Sequence, residues 1–165
     1  LKYLKNENGK YIGFLYAGLM VKDNEPYLIE YNVRMGDPET EVVFPRLKND
    51  LLELFYSMGT SEFKDIKLNI SDNHAATVIL VSGGYPESYE KGKTIEGLND
   101  LSEVSVFHAG TKKKRDSFIT SGGRVLAITS MGHNFEVALK NSYNQIDKIK
   151  FDGMNYRKDI GFDLL

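Results

Sequence analysis

Glu30, Asn32 and Arg34 alternate along a stretch, Tyr27 to Val33, that reads as an extended strand. On a strand, side chains two positions apart leave the backbone on the same side, so this spacing sets a carboxylate beside an amide oxygen. Both are hard oxygen donors, the kind a magnesium ion shares with nucleotide phosphates. Arg34 continues the row and offers a planar guanidinium to a phosphate or carboxylate. Leu28 precedes the pair on the same expected face, as an apolar neighbour. Asp37 lies between a glycine and a proline. Gly36 suits a turn that needs positive φ, and Asp37-Pro38 suits a helix N-cap followed by proline at the first helical position. Spacing alone leaves a second reading open. Glu30 and Asn32 could form the wet side of an edge hairpin, with Arg34 a surface ion-pair partner and Asp37 a helix cap only.

The elements that would carry these groups follow from pattern. Tyr11 to Lys22 reads as a strand, Lys22 to Pro26 as a polar turn, and Tyr27 to Val33 as a second strand, giving a hairpin with a longer loop. Pro45 interrupts the helical pattern that follows, and Leu47, Leu51, Leu54, Phe55 and Met58 predict a second helix from about Arg46 to Met58. Gly59 to Asn73 is polar and turn-rich, a boundary or linker. Beyond it, Ala75 to Ser82 reads as a strand running into a Ser82-Gly83-Gly84-Tyr85-Pro86 loop. Short strands are predicted near Thr94-Ile95, Val104 to His108, Ser117 to Thr120 and Arg124 to Ser130, with Ser121-Gly122-Gly123 as a tight turn. A closing helix runs from Asn134 to Lys148, with Phe135, Ala138, Leu139, Ser142, Ile146 and Ile149 on one face. The expected class is α+β, with domains at residues 1–70 and 74–165. The second is a small antiparallel β-rich, barrel-like domain with a closing helix.

Composition removes several function classes. The 165 residues are 41% hydrophobic, enough to bury a core, and carry a formal charge of -2, so no basic field draws the chain to nucleic acid or an anionic membrane. The longest apolar run, Ala75 to Val81, is too short to span a bilayer. Without cysteine there is no disulfide, thiolate metal site or cysteine nucleophile, which fits a cytoplasmic protein. Lys112-Lys113-Lys114-Arg115 reads as a solvated loop rather than a nucleic-acid patch. His74, His108 and His133 lack metal-ligand spacing; His133 suits a cap of the last helix, and His108 reads as packed rather than catalytic. Ser82-Gly83-Gly84 is neither a nucleophile elbow nor a P-loop. Because residue 1 is leucine, the chain is expected to start inside a longer one.

Two runs, Tyr11-Ile12-Gly13-Phe14-Leu15-Tyr16-Ala17-Gly18-Leu19-Met20 and Leu28-Ile29-Glu30-Tyr31-Asn32-Val33-Arg34-Met35-Gly36-Asp37-Pro38-Glu39-Thr40, resemble the last strands of the ATP-grasp domain in the phosphoribosylamine–glycine ligase family. Glu-x-Asn-x-Arg is shared across ATP-grasp enzymes; Gly36-Asp37-Pro38-Glu39 is more specific to this ligase. Gly84-Tyr85-Pro86 with Lys91-Gly92, Phe107 to Thr111, Thr120 to Leu126 and Tyr156 to Gly161 resemble the same family's C-terminal domain, in order.

That resemblance implies ATP-dependent ligation of glycine to 5-phosphoribosylamine in purine biosynthesis, through a glycyl phosphate, with Mg2+ or Mn2+. It implies Glu30 and Asn32 as metal ligands and Leu28 as an adenine contact. Arg34 would face the transferring phosphoryl or the glycine carboxylate, and Asp37 an amine. Lys91, and Arg124 behind two glycines, are candidates for the phosphoribosyl group. The family's N-terminal portion would precede Leu1 as the missing partner, so the chain alone is expected not to turn over. The strand before Glu30 carries no carboxylate, so any further metal ligand must come from elsewhere. Another ATP-grasp carboxylate–amine ligase, or a non-catalytic binding or assembly module, remains the alternative.

Overall fold

A computed structural model describes residues 5–6, 9–60 and 66–164. It divides into two units, Leu1–Thr40 with Leu47–Ile70, and Glu41–Arg46 with Ser71–Leu165.

In the first unit, β1 (Lys5–Asn6) and β2 (Gly9–Lys10) pair antiparallel, and β3 (Tyr16–Lys22) and β4 (Glu25–Asn32) form the hairpin that carries the candidate site. Its turn is tighter than expected. Asp23 and Asn24 both take positive φ, 53° and 62°, a conformation these residue types tolerate better than most and which matches strand twist. Pairing therefore starts at Lys22–Glu25, and Pro26 lies inside β4 opposite Val21. A two-stranded ribbon has only edge strands, where proline's missing N–H costs little. The first strand begins at Tyr16 rather than Tyr11.

Two helices follow, as expected, but both start later than the pattern places them. Helix α1 (Thr40–Arg46) contains Pro45 and ends one residue beyond it, and α2 spans Leu51–Met58. Between them Asn49 turns away to donate to the Lys67 carbonyl (3.1 Å) and accept from the Asn69 amide (2.6 Å). Asp50 caps α2 by accepting from the Glu53 amide at 3.0 Å. Asp37 is thus not a helix N-cap: α1 starts three residues later, after a cis Asp37–Pro38 bond. Residues 66–70, read as linker, are tied down by Asn49 and a Leu47–Ile70 bridge.

The second unit is built on β10 (Arg124–Gly132), which lies between β5 (His74–Val81) and β7 (Ser105–His108) in an antiparallel sheet. A second antiparallel sheet has the order β6 (Thr94–Ile95), β9 (Ser117–Thr120), β8 (Thr111–Lys114). Helix α3 (Phe135–Ile146) buries Ala138, Ser142 and Ile146, and packs on the first sheet. Val78, Leu80, Val125, Leu126, Ile128, Ile146 and Ile149 make the core, each at 1% exposure or less. The class is α+β, and among the described residues the strands do not close into a barrel. Ser121–Gly123 is not a hairpin turn. It passes the chain from one sheet to the other, because β9 and β10 have different neighbours. The lysine run is not a loop. Thr111–Lys114 pairs with β9, and Arg115 takes positive φ (53°) in the connection. Exposed lysines on this edge strand also discourage further strand pairing. Asn134, not His133, caps α3, accepting from the Val137 amide at 2.8 Å. His108 is exposed rather than packed away, its ring centroid 4.5 Å from that of Phe118 and its Nδ1 2.9 Å from Thr111 Oγ1.

Ser142 joins the helix to two strands. Its buried hydroxyl accepts from the Ser130 amide (3.0 Å) and donates to the Ala76 carbonyl (2.9 Å). Ser142→Ala strands both backbone groups away from water, so a loss of about 1–3 kcal/mol in urea unfolding is expected. A loss under about 0.5 kcal/mol, the usual scatter of surface changes, would contradict this account.

Candidate functional site

The register of the hairpin decides which side chains share a face. Tyr16 pairs with Asn32, Gly18 with Glu30, Leu19 with Leu28 and Met20 with Tyr27, so Ile29 is an extra residue, a bulge in β4. Cross-strand partners point the same way and neighbours along β3 point opposite ways. Tyr16, Gly18, Glu30 and Asn32 therefore lie together on one face. Leu28 lies on the other face with Leu19, which corrects the expectation that it adjoins Glu30 and Asn32. The bulge reverses the alternation between positions 28 and 30, so counting by twos fails across it.

Glu30 and Asn32 are in contact: the Asn32 amide donates to Glu30 Oε1 at 2.8 Å. Gly18 makes room for the carboxylate, since a Cβ there would stand 3.1 Å from Glu30 Cγ. Glu30 is exposed and Asn32 half-buried. Their donors suit a hard divalent cation that keeps several positions for phosphate oxygens and water. Among the described residues no group of three or more His, Asp or Glu side chains could hold a metal.

The chain leaving β4 carries Arg34 and Asp37, both exposed. Arg34 Nη1 donates to the Met35 carbonyl at 2.9 Å. Gly36 is buried, yet its φ is not positive, contrary to expectation. A Cβ there would meet the Glu39 carboxylate, so a side chain at this position would have to displace it. The Glu39 carboxylate accepts from the Tyr16 hydroxyl at 2.8 Å. That bond, followed by desolvation and the negative charges of Glu39 and Glu30, holds the Tyr16 phenol above its ordinary pKa, so it keeps its proton to donate. The Tyr11 hydroxyl lies 2.7 Å from the Val33 carbonyl, and Thr40 donates through both its amide (3.0 Å) and its hydroxyl to the Gly36 carbonyl. Sequence reading missed Tyr16 and Glu39 as site residues. Only the bulged register, absent from the pattern of residue types, sets Tyr16 opposite Asn32.

In the second unit, Lys91 Nζ stands 5.8 Å from the centroid of the Tyr89 ring, whose neighbour is Tyr85 at 6.0 Å between centroids. Tyr85 in turn lies against Gly123, the residue before Arg124, where a Cβ would come within 2.1 Å of the ring. Lys91 and Arg124 thus sit near the two ends of one aromatic contact chain. Lys93 is committed elsewhere: Glu90 (2.7 Å) and Asp152 (2.9 Å) bind its ammonium and hold its pKa above the ordinary lysine range.

The chain is similar to proteins of one known family along nearly its whole length. Residues 75–163, more than half of the chain, match the family model "Phosphoribosylglycinamide synthetase, C domain", and residues 1–40 match "Phosphoribosylglycinamide synthetase, ATP-grasp (A) domain". The chain is 42% identical over 165 residues to the phosphoribosylamine–glycine ligase of Fusobacterium nucleatum, covering 98% of this chain and 39% of the relative. It is 45% identical over 157 residues to that of Caldanaerobacter subterraneus, covering 95% and 38%. The crystal structure of the Thermotoga maritima phosphoribosylamine–glycine ligase superposes with a TM-score of 0.74 at 36% identity, over 88% of this chain and 36% of that one. The chain therefore spans less than two fifths of the length of these relatives.

Proposed function

The chain belongs to the phosphoribosylglycinamide synthetase family, and from that membership we propose that it forms part of an ATP-dependent ligase joining glycine to 5-phosphoribosylamine. The observation that carries the proposal is the Glu30–Asn32 pair, a carboxylate and an amide in hydrogen-bond contact on one face of a hairpin, in the stretch that matches the family's ATP-grasp domain.

In this reading residues 1–70 contribute one wall of a nucleotide site and residues 74–165 a domain serving the second substrate. Glu30 and Asn32 hold a divalent cation, Mg2+ or Mn2+, which when bound neutralises nucleotide phosphate charge. Arg34 releases the Met35 carbonyl to face the transferring phosphoryl group or the glycine carboxylate. Transfer of the terminal phosphoryl of ATP to a glycine carboxylate oxygen leaves ADP. The amine nitrogen then attacks the acyl carbon, the bond to the phosphate oxygen breaks, and the nitrogen gives up a proton. Asp37 receives an ammonium or amine. Lys91 and Arg124 serve the phosphate of the ribosyl substrate. Leu28, on the far face of the hairpin, is left out of the metal face. No nucleic acid or membrane enters this reading: the formal charge is -2, and among the described residues no helix is long and apolar enough to cross a membrane.

The test is a chimera in which this chain replaces the aligned segment of the Fusobacterium relative. ADP release that needs both glycine and 5-phosphoribosylamine is expected. A folded chimera that binds ATP but releases no ADP with the two substrates would remove the reading, and release with a different carboxylate or amine would transfer the chain to another ATP-grasp chemistry.

A further inference from the structure

Tyr16 meets both ends of the segment that carries Arg34 and Asp37. Its backbone pairs with Asn32, where the segment leaves β4. Its hydroxyl donates to Glu39, the residue before α1, at 2.8 Å. Residues 33–38 are thereby closed into a loop by one side chain. Two further residues touch the loop from outside it, Tyr11, whose hydroxyl is shared between the Phe14 (2.6 Å) and Val33 (2.7 Å) carbonyls, and Thr40 at the Gly36 carbonyl. Glu39 also packs into the space that a side chain at Gly36 would fill. Three separate ties on so short a segment fix where its two exposed charges stand.

We propose that Tyr16 and Glu39 are positioning residues, which lock the Arg34–Asp37 turn against the Glu30–Asn32 face so that cation-binding and phosphoryl-facing groups keep one mutual geometry. The inference rests on the ligase reading for its catalytic consequence, while the tether itself belongs to this chain alone. Phenol-to-carboxylate bonds are charge-assisted and short, hence directional. Misplacement of a substrate-facing group by about 1 Å can cost about a hundredfold in rate. Loss of the tether therefore falls on the step that uses Arg34 and Asp37, and not on nucleotide binding as such.

In the active chimera, Tyr16→Phe is expected to lower kcat/KM for glycine about tenfold or more while KM for the metal–ATP complex stays within about twofold, the signature of lost orientation. Glu39→Ala reproduces that loss. Glu39→Gln, which keeps an oxygen acceptor for the hydroxyl, restores most of the activity. The Tyr16→Phe, Glu39→Ala double variant is no worse than either single one, because both remove the same bond. In the chain itself, Tyr16→Phe speeds amide hydrogen exchange over residues 33–40, and Glu39→Gln does not. Equal damage from Glu39→Gln and Glu39→Ala would overturn the proposal in favour of a direct role for the Glu39 charge, and unchanged exchange in Tyr16→Phe would overturn it outright. A parent chimera without activity counts against the ligase reading instead, and the exchange comparison still decides the tether.

Discussion

Glu30→Ala in the chimera is expected to lower kcat for glycine-dependent ADP release by about a hundredfold or more. In the proposed reading the carboxylate is the charged member of the pair that would hold a divalent cation, since its neighbour Asn32 is an amide. Such a cation contributes several kcal/mol to stabilising transferred phosphoryl charge, and each ~1.4 kcal/mol is a factor of ten in rate. In that reading, losing the charged ligand of the pair forfeits a good part of that. Glu30→Gln separates charge from geometry. It leaves Asn32 a hydrogen-bond acceptor and keeps an oxygen on the face, so its loss should be smaller and should shrink further as Mg2+ or Mn2+ is raised. Leu28→Ala is the internal control. It lies two residues away but on the opposite face, paired with Leu19, and it should leave metal dependence unchanged. A Glu30→Ala chimera within about threefold of its parent, or a Leu28→Ala chimera with the same metal dependence as Glu30→Ala, would dissociate the hairpin face from phosphoryl transfer.

That control shows where sequence reading stopped. Residue types placed Glu30 and Asn32 on one strand, and their mutual contact follows from simple alternation. Alternation fails between positions 28 and 30, because a bulge is a property of the paired strands and neither strand signals it alone. The Tyr16–Glu39 bond spans 23 positions and depends on that same register. In the second unit, Ser117–Thr120, the start of β10 and the buried face of α3 were legible, since each is a local pattern of apolar period. Thr111–Lys114 was not, because consecutive lysines mask the two-residue period and the strand is held by its partner β9. Nor was the passage at Ser121–Gly123 between two sheets, since a glycine pair permits a hairpin and a corner equally well. Local chemistry was readable where it depended on neighbours in sequence, and unreadable where a third element set it.

Two glycines in the second unit separate the cost of backbone conformation from the cost of contact. Gly97 and Gly92 both take left-handed φ, 82° and 84°. A Cβ at Gly97 would stand 1.9 Å from the Lys148 carbonyl oxygen and 2.8 Å from its carbonyl carbon, whereas a Cβ at Gly92 would meet nothing within 4 Å. Each alanine pays about 1–2 kcal/mol for entering the left-handed region. Only Gly97→Ala must also push backbone apart, where overpacking adds about 1–3 kcal/mol. The backbone in question is not free to yield. Lys148 follows the Asp147 C-cap of α3, Ile149 beside it is core at 1% exposure, and Glu96 and Lys150 bridge the two segments through amide–carbonyl bonds of 2.9 and 3.2 Å. Gly97→Ala is therefore expected to destabilise the chain by about 3 kcal/mol or more and Gly92→Ala by about 1 kcal/mol, read as urea unfolding free energies under identical conditions. Equal losses from the two variants would mean that the junction of α3 with the Glu96–Lys150 bridge relaxes freely, and that the core around Ile149 is looser than its burial implies.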